Sequence, residues 1–370
     1  MNGLNLPLAC LVFLAPGVIR AADQPPAASP PTTTMQLIAA DDPRFRYEGR
    51  IDFTNRAEPV LIWQGSRVSV DCTGSGVVLR FSGATGQNFF NAEVDGTSTI
   101  VAASEGHAGL QRIEVPLAPG AGRHHLRLFK RSEAAKGQVR FLGVELPAGA
   151  QAWPPEPPAY RLKMEFFGDS ITAGACNEDG AADQWDDFRT HNHALSYDHL
   201  VSQAFGADHR AMAISGMGIA TGYVEIKAGE AWDRLYPRAD APHADLAAWQ
   251  PDVAFVLLGE NDDSFSRNQG HGFPAAYGPG HLALVRAIRA AYPRTQLVLL
   301  RGGMFGGSQS APLREAWTAV VQELEAGDPA VSHFVFKHWS ELHPRVSDDR
   351  AMAEELTAWL KDQAFMKKFR

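Results

Sequence analysis

The sequence predicts an α/β domain built on a parallel sheet, preceded by an all-β sandwich. Past residue 161, short apolar runs alternate with helical patterns, the rhythm of a parallel sheet covered on both faces. From about Arg46 to Pro147 the pattern changes. Runs rich in Val, Ile and Phe alternate with polar residues, broken by Gly, Asn or Asp. That period of two with regular turns marks a sandwich. Between the two regions lies Trp153-Pro154-Pro155-Glu156-Pro157-Pro158, whose consecutive prolines hold an extended backbone.

Taken in order, residues 1–22 read as a signal peptide. Leu4 to Val18 is mostly apolar and too short for a membrane span, and Ala21-Ala22 offers small residues for cleavage. The segment lacks Lys or Arg before its apolar core, and Pro7 and Pro16 interrupt it. Cys10 follows Leu8-Ala9 and does not make a lipoprotein anchor. Residues 23–44 read as a linker, rich in Pro, Ala and Thr up to Thr34. Residues 45–149 form the sandwich, with strands expected at Arg67–Asp71, Gly76–Phe81, Asn91–Gly96, His124–Phe129 and Val139–Leu146. Residues 150–160 form a Pro-rich linker, and 161–370 the α/β domain. Five strands are expected there, at Leu162, Ala211, Val253, Gln296 and Phe334. Helical patterns span Ser196–Phe205, His281–Ala291, Leu313–Glu325 and Asp349–Leu360, with Ser347 and Asp348 as N-caps of the last. No internal repeat is evident.

The composition, 45% hydrophobic and 21% charged over 370 residues, suits a chain with a real core. A net charge of −8 argues against a nucleic-acid partner, because nothing would neutralise phosphates. Cys72 and Cys176 are expected as buried free thiols, although pairing stays open. His191 and His193 beside Asp183, Asp186 and Asp187 could hold a metal, but a polar surface loop is the expectation. No metal and no cofactor are expected, and a monomer is.

The chemistry concentrates at strand ends. Ser170 in Phe167-Gly168-Asp169-Ser170 follows the first apolar run of the α/β domain. Ligands of open α/β sheets bind at that C-terminal end of the strands. A serine there can attack a carbonyl, while its backbone N–H helps hold the oxyanion. Ser215-Gly216-Met217-Gly218 follows a second run, Gly259-Glu260-Asn261-Asp262 a third, and His343-Pro344 precedes the last helical pattern. Proline disfavours helix in the residue before it, so His343 belongs in an extended loop. Imidazole is the side chain that titrates near neutrality unaided.

These blocks resemble those of the SGNH (GDSL-like) hydrolase superfamily: Gly-Asp-Ser, a loop glycine, Gly-x-Asn-Asp and a late Asp-x-x-His. The likeness spans roughly Leu162 to Leu360. With the sandwich in front, and its stretches Gly49–Phe53, Trp63–Ser66, Phe89–Gly96 and Phe141–Leu146, the chain resembles carbohydrate esterase family two. The resemblance implies a flavodoxin-like three-layer α/β SGNH-hydrolase domain behind a jelly-roll-like sandwich. It implies Ser170 as nucleophile and His343 as base. The oxyanion hole would comprise the N–H groups of Ser170 and Gly216 and the side-chain amide of Asn261. It also implies a secreted or periplasmic enzyme that removes acetyl groups from plant-type polysaccharides or oligosaccharides, as acetylxylan esterases do.

One position departs from the pattern. Ser340 stands where the superfamily places aspartate, three residues before His343. The family includes members in which a backbone carbonyl orients the ring, so no third triad member is assigned. Asp169 is expected to bond the loop backbone. Glu260 faces either solvent or substrate. Trp185 and Trp232 are substrate-stacking candidates, with Phe188 and Tyr197 beside them, although core packing is the commoner fate of such rings. The long acidic loop from Asn177 to Asn192 is a candidate for shaping acceptor specificity. Two alternatives stay open: a lipase- or thioesterase-type SGNH hydrolase, and a catalytically impaired glycan-binding protein.

Overall fold

The structure is a computed structural model that describes residues 34–106, 109–118 and 122–369. The expected signal peptide, Cys10 and most of the expected linker lie outside the described residues. Among those described, the N-terminal part holds β1 (Met35–Ala39), β2 (Arg46–Glu48), β3 (Val60–Leu61), β4 (Arg67–Cys72), β5 (Gly76–Val94), β6 (Thr97–Ser104), β7 (Gln111–Pro116), β8 (His124–Lys130), β9 (Gly137–Pro147) and β10 (Ala152–Trp153).

All of their pairings are antiparallel. β5 joins the two layers. Its first half pairs with β7 and β9, and its second half with β6 and β8. Register shifts at Arg80/Phe81 and Ser82/Thr85 let it bend between them. Alternation explains the core. In β9, Val139 and Phe141 point inward, then the bulge opposite Arg80/Phe81 resets the phase so that Val144 and Leu146 do. Phe81, Phe90 and Phe141 meet there, with ring centroids 5.4 and 5.8 Å apart.

Two boundaries need correction. β1 lies inside the expected 23–44 linker and pairs with β9 from Met35↔Pro147 to Ala39↔Gly143. Only Ile38 of that strand is fully buried, so its alternation is faint in sequence. The Pro-rich 150–160 segment is fastened rather than free. β10 pairs with β4, and the Arg46 guanidinium donates to the carbonyls of Pro155 and Glu156.

The α/β part contains β11 (Leu162–Gly168), β12 (Ala207–Ala213), β13 (Val253–Leu257), β14 (Gln296–Met304) and β15 (Val331–Ser340). They form a parallel sheet in the order β12-β11-β13-β14-β15. Every residue of β13 is buried, as a sheet covered on both faces requires. The helices are α1 (Ser170–Ala173), α2 (Tyr197–Ala204), α3 (Ala228–Ala231), α4 (Glu260–Asn268), α5 (Tyr277–Ala291), α6 (Phe305–Gln309), α7 (Ala311–Gly327) and α8 (Val346–Asp362). α8 begins before its expected caps. Arg345 occupies the cap, its N–H donates to Asp348 Oδ2, and Ser347 and Asp348 lie in the first turn.

From Met35 onward the two parts form one compact unit. Ile62, Trp63 and Ala134 of the sandwich enter the same apolar core as Phe167, Met212 and Trp232. Across this junction Arg50 and Glu165 form a buried ion pair at 3.0 Å. Trp63 Nε1 donates to the Leu235 carbonyl at 2.8 Å.

Candidate active site

The turn after β11 brings the buried Ser170 to the cleft wall. A Cβ on Gly168 would sit 2.1 Å from Thr172 Oγ1, so only glycine lets the chain fold back so tightly. Asp169 then caps α1 by accepting from the Ile171 N–H at 3.1 Å, as expected. β11 lies between β12 and β13, where the strand order reverses and a crevice opens. Gly259 ends β13 at the same edge and places Asn261 in the first turn of α4.

His343 arrives from the far side of the sheet, in the non-helical turn between β15 and α8. Its Nε2 stands 2.8 Å from Ser170 Oγ across 173 residues of sequence. Its Nδ1 stands 2.6 Å from Asp183 Oδ2. Asp183 Oδ1 in turn accepts from Arg345 Nη1 at 2.8 Å. Burial opposes the Asp183 charge. The bonds from His343 and Arg345 outweigh it and hold the carboxyl down to about 2. A hydroxyl, an imidazole and a carboxylate therefore form one continuous chain.

Asp183 is the residue that sequence reasoning missed as an orienting partner. In sequence it is only one carboxylate of an acidic loop, where it counts among the possible metal holders. Ser340 does not substitute for it, since its hydroxyl donates to the Leu342 carbonyl. Glu341 is exposed on the cleft wall. The sandwich places the loop. Gln87 of β5 donates to the Asp186 carbonyl and accepts from the Phe188 N–H. Arg131, at the end of β8, is paired with Glu178 and Asn91.

The expected oxyanion donors sit around the serine. Gly216 has φ +81°, a left-handed backbone that suits glycine. Asp262 shapes the loop beyond it, its carboxylate accepting from the N–H groups of Ile219, Ala220 and Thr221 at 2.7–2.9 Å. Among the described residues, the N–H groups of Ser170 and Gly216 donate to no protein acceptor. Asn261 Nδ2 lies 3.1 Å from Asp169 Oδ2 and 3.0 Å from the Met217 carbonyl, so its amide is held in place between the two loops. Burial, helped by nearby Glu260 and Asp262, pushes the Asp169 carboxyl up to about 8 despite the Ile171 bond.

A cleft of about 670 Å³ opens over this chain, lined by Ser170, Gly216, Asn261, His343 and Trp185 among others. Trp185 is 39% exposed and packs edge-on against the His343 ring at 5.1 Å. Lys136 of the sandwich and the exposed rings of Tyr223 and Phe305 also line it, and none of these three carries a sequence signal. Two candidates are corrected. Trp232 is buried among Phe167 and Tyr292, because α3 turns its ring into the core and away from the cleft. Glu260 lines the cleft, as one of its two expected placements has it, but does not face bulk solvent. It is 8% exposed, and its carboxylate accepts from the N–H groups of Gly306 and Gly307, pinning α6 beside the cleft wall. Tyr197 is likewise core, while Phe188 is half-buried beside Lys136.

His191 and His193 are buried, not on the expected polar surface loop, and they part company. His191 faces Cys176 Sγ and the Gln184 carbonyl, and His193 faces the Thr172 carbonyl and His209. Cys72 and Cys176 are free and buried.

A parallel sheet with a serine–histidine–carboxylate chain at the C-terminal ends of its strands defines a serine hydrolase on an α/β domain. Residues 166–359 match the GDSL-like lipase/acylhydrolase family, and residues 47–158 match the carbohydrate esterase 2 N-terminal family. The chain belongs to the family two carbohydrate esterases of the GDSL-like hydrolases. It is 30% identical over 335 residues to cellulase/esterase CelE of Acetivibrio thermocellus, covering 87% of this chain and 40% of that protein. It is 28% identical to an acetylxylan esterase/glucomannan deacetylase of Cellvibrio japonicus, covering 78% of this chain and 82% of that one. A family two carbohydrate esterase from Clostridium thermocellum, solved with cellohexaose, superposes with a TM-score of 0.76 at 26% identity, covering 86% of this chain and 98% of that one.

Proposed function

We propose that this chain is an exported esterase that removes O-acetyl groups from plant-type polysaccharides or oligosaccharides. The continuous chain from Ser170 Oγ through His343 to Asp183, opening on a wide cleft, carries the proposal. Ser170 Oγ attacks the acetyl carbonyl as its proton passes to His343 Nε2. Asp183 holds the ring with its proton on Nδ1 and stabilises the imidazolium that forms. The developing oxyanion is met by the N–H groups of Ser170 and Gly216 and by an Asn261 N–H that exchanges its bond to Asp169 or Met217 for the oxyanion. His343 then returns the proton to the departing sugar hydroxyl. Water, deprotonated by the same ring, releases acetate and restores the serine.

The choice of substrate is supported by the activity in the Cellvibrio relative's name and by the oligosaccharide in the Clostridium structure. Trp185, Tyr223 and Phe305 present exposed rings along the cleft, the kind of surface on which sugar rings stack. Among the described residues no helix is long and apolar enough to cross a membrane.

The test is acetate release from acetylated xylan and glucomannan, beside long-chain acyl esters, with Ser170→Ala as control. Wild-type release that the variant loses by about 10⁴-fold or more is expected. Unchanged release in the variant removes Ser170 as nucleophile. Preference for long acyl chains returns the chain to a lipase-type reading.

A further inference from the structure

Four side chains that the proposed chemistry does not use meet in the interior. His193 comes from the end of the acidic loop, Asp198 and His199 from α2, and His209 from β12. All four are buried, the most accessible at 4%. His193 Nε2 and His209 Nε2 stand 2.8 Å apart. Each lies 3.7 Å from Asp198 Oδ2. One nitrogen of each of the three rings lies within 4.8 Å of the others. Asp198 Oδ2 and His199 Nδ1 are buried without any hydrogen-bond partner.

The protons make this arrangement informative. The Thr172 carbonyl, 3.1 Å from His193 Nδ1, can only accept. Neutral His193 therefore carries its proton on Nδ1 and turns a lone pair toward His209. His209 Nδ1 faces Ser202 Oγ at 2.9 Å. When that hydroxyl accepts, His209 also presents a lone pair, and the two nitrogens repel. When it donates, His209 Nε2–H bridges to His193, but Asp198 Oδ2 and His199 Nδ1 remain unanswered. Unpaired buried groups of this kind are costly. A dication held among the three ring nitrogens, with Asp198 Oδ2 3.7 Å from two of them, would answer these groups.

We propose that His193, His199, His209 and Asp198 form a closed structural site for a divalent transition-metal ion, with Zn²⁺ the best match. Three imidazoles and a carboxylate are a donor set that zinc accepts. Tetrahedral bonds of about 2.1 Å set neighbouring donors roughly 3.4 Å apart. The observed 2.8 and 3.7 Å bracket that spacing. Second-shell partners are in place. Thr172 and Ser202 orient His193 and His209, and Ser196 Oγ bonds Asp198 Oδ1. Gln203 lies 3.1 Å from His199 Nε2, and with its amide oxygen turned inward it accepts the proton there and frees Nδ1 as ligand. Burial keeps the three imidazoles neutral and lifts the Asp198 carboxyl to about 8, a cost that a bound dication removes.

The ion would fasten α2, β12 and the end of the acidic loop to Thr172, two residues after the nucleophile. It would do so under the sandwich, where the His193 N–H donates to the Arg131 carbonyl and its ring lies against Phe129. None of the four residues lines the cleft, so its work is structural.

The full chain, free of any histidine tag, is stripped with a chelator, given one equivalent of ZnCl₂ and desalted. Metal analysis is expected to find about one Zn²⁺ per chain in the wild type and less than about a fifth of that in His199→Ala. Zinc is expected to raise the wild-type Tm by roughly 2 °C or more over EDTA, and not that of the variant. Co²⁺ at one equivalent is expected to give the intense bands of tetrahedral coordination, a wild-type readout that stands even where the variant does not fold. Wild-type protein that retains no zinc and melts identically in zinc and EDTA overturns the proposal. Equal zinc retention in folded His199→Ala, or a weak octahedral cobalt spectrum, also overturns it.

Discussion

In Asp183→Asn, the carboxylate that accepts from His343 Nδ1 at 2.6 Å becomes a neutral amide of the same shape. Its fold-holding contacts are few, so the effect should fall on the reaction. A hydrogen bond to a charged group is worth about 1.5–3 kcal/mol. The imidazolium of the transition state also loses a neighbouring anion, worth up to about 4 kcal/mol at a surface-like dielectric. Arg345, 2.8 Å from the same carboxylate, already neutralises part of that charge, and both side chains of the pair are 15% exposed. The net loss is therefore about 2–4 kcal/mol, roughly 30- to 1000-fold in kcat. If the amide turns its NH₂ toward Nδ1, the ring proton moves to Nε2 and the loss approaches about 10⁴. Initial rates of acetate release give kcat and KM, and circular dichroism and Tm confirm folding. KM should change little. A folded variant with kcat within about threefold of wild type refutes the role assigned to Asp183.

Ser340→Asp should leave kcat within about threefold, because His343 Nδ1 already has a carboxylate; a gain of two or more orders would show that position to be vacant. Asn261→Ala should lower kcat by about 10²–10³ with little change in KM. Unaltered kinetics would remove its amide from the oxyanion hole. Acid should erase what Asp183 contributes to stability. Its folded carboxyl lies near 2, below the ordinary 3.8, so its contribution is full above the higher value and lost as pH falls through the lower. The Tm difference between wild type and Asp183→Asn should hold at neutral pH, shrink below about pH 4 and vanish near pH 2; a difference that grows on acidification contradicts the ion pair.

Much of this molecule was legible along the chain. The five apolar runs became β11 to β15, and Ser170, Gly216, Asn261 and His343 stand at strand ends around one cleft. Strand and helix periods are local, and motif residues sit at fixed offsets from those elements, so a one-dimensional reading reaches them. Side-chain partners are another matter. Two tryptophans in similar sequence settings went opposite ways, Trp185 to the cleft and Trp232 to the core. Glu260 pins α6 where sequence left it facing either solvent or substrate.

What the sequence by itself determined is the order of layers and which hydroxyl and imidazole are candidates for the reaction, because periodicity and backbone turns are properties of neighbours in the chain. What only the tertiary structure decided is which carboxylate faces the imidazole. Asp183 and His343 lie 160 residues apart, and the loop between β11 and α2 reaches the histidine through bonds from Gln87 and Arg131 of the sandwich. No local pattern encodes such a meeting. It follows from the packing of two distant loops, in which a charge settles where a partner can be found.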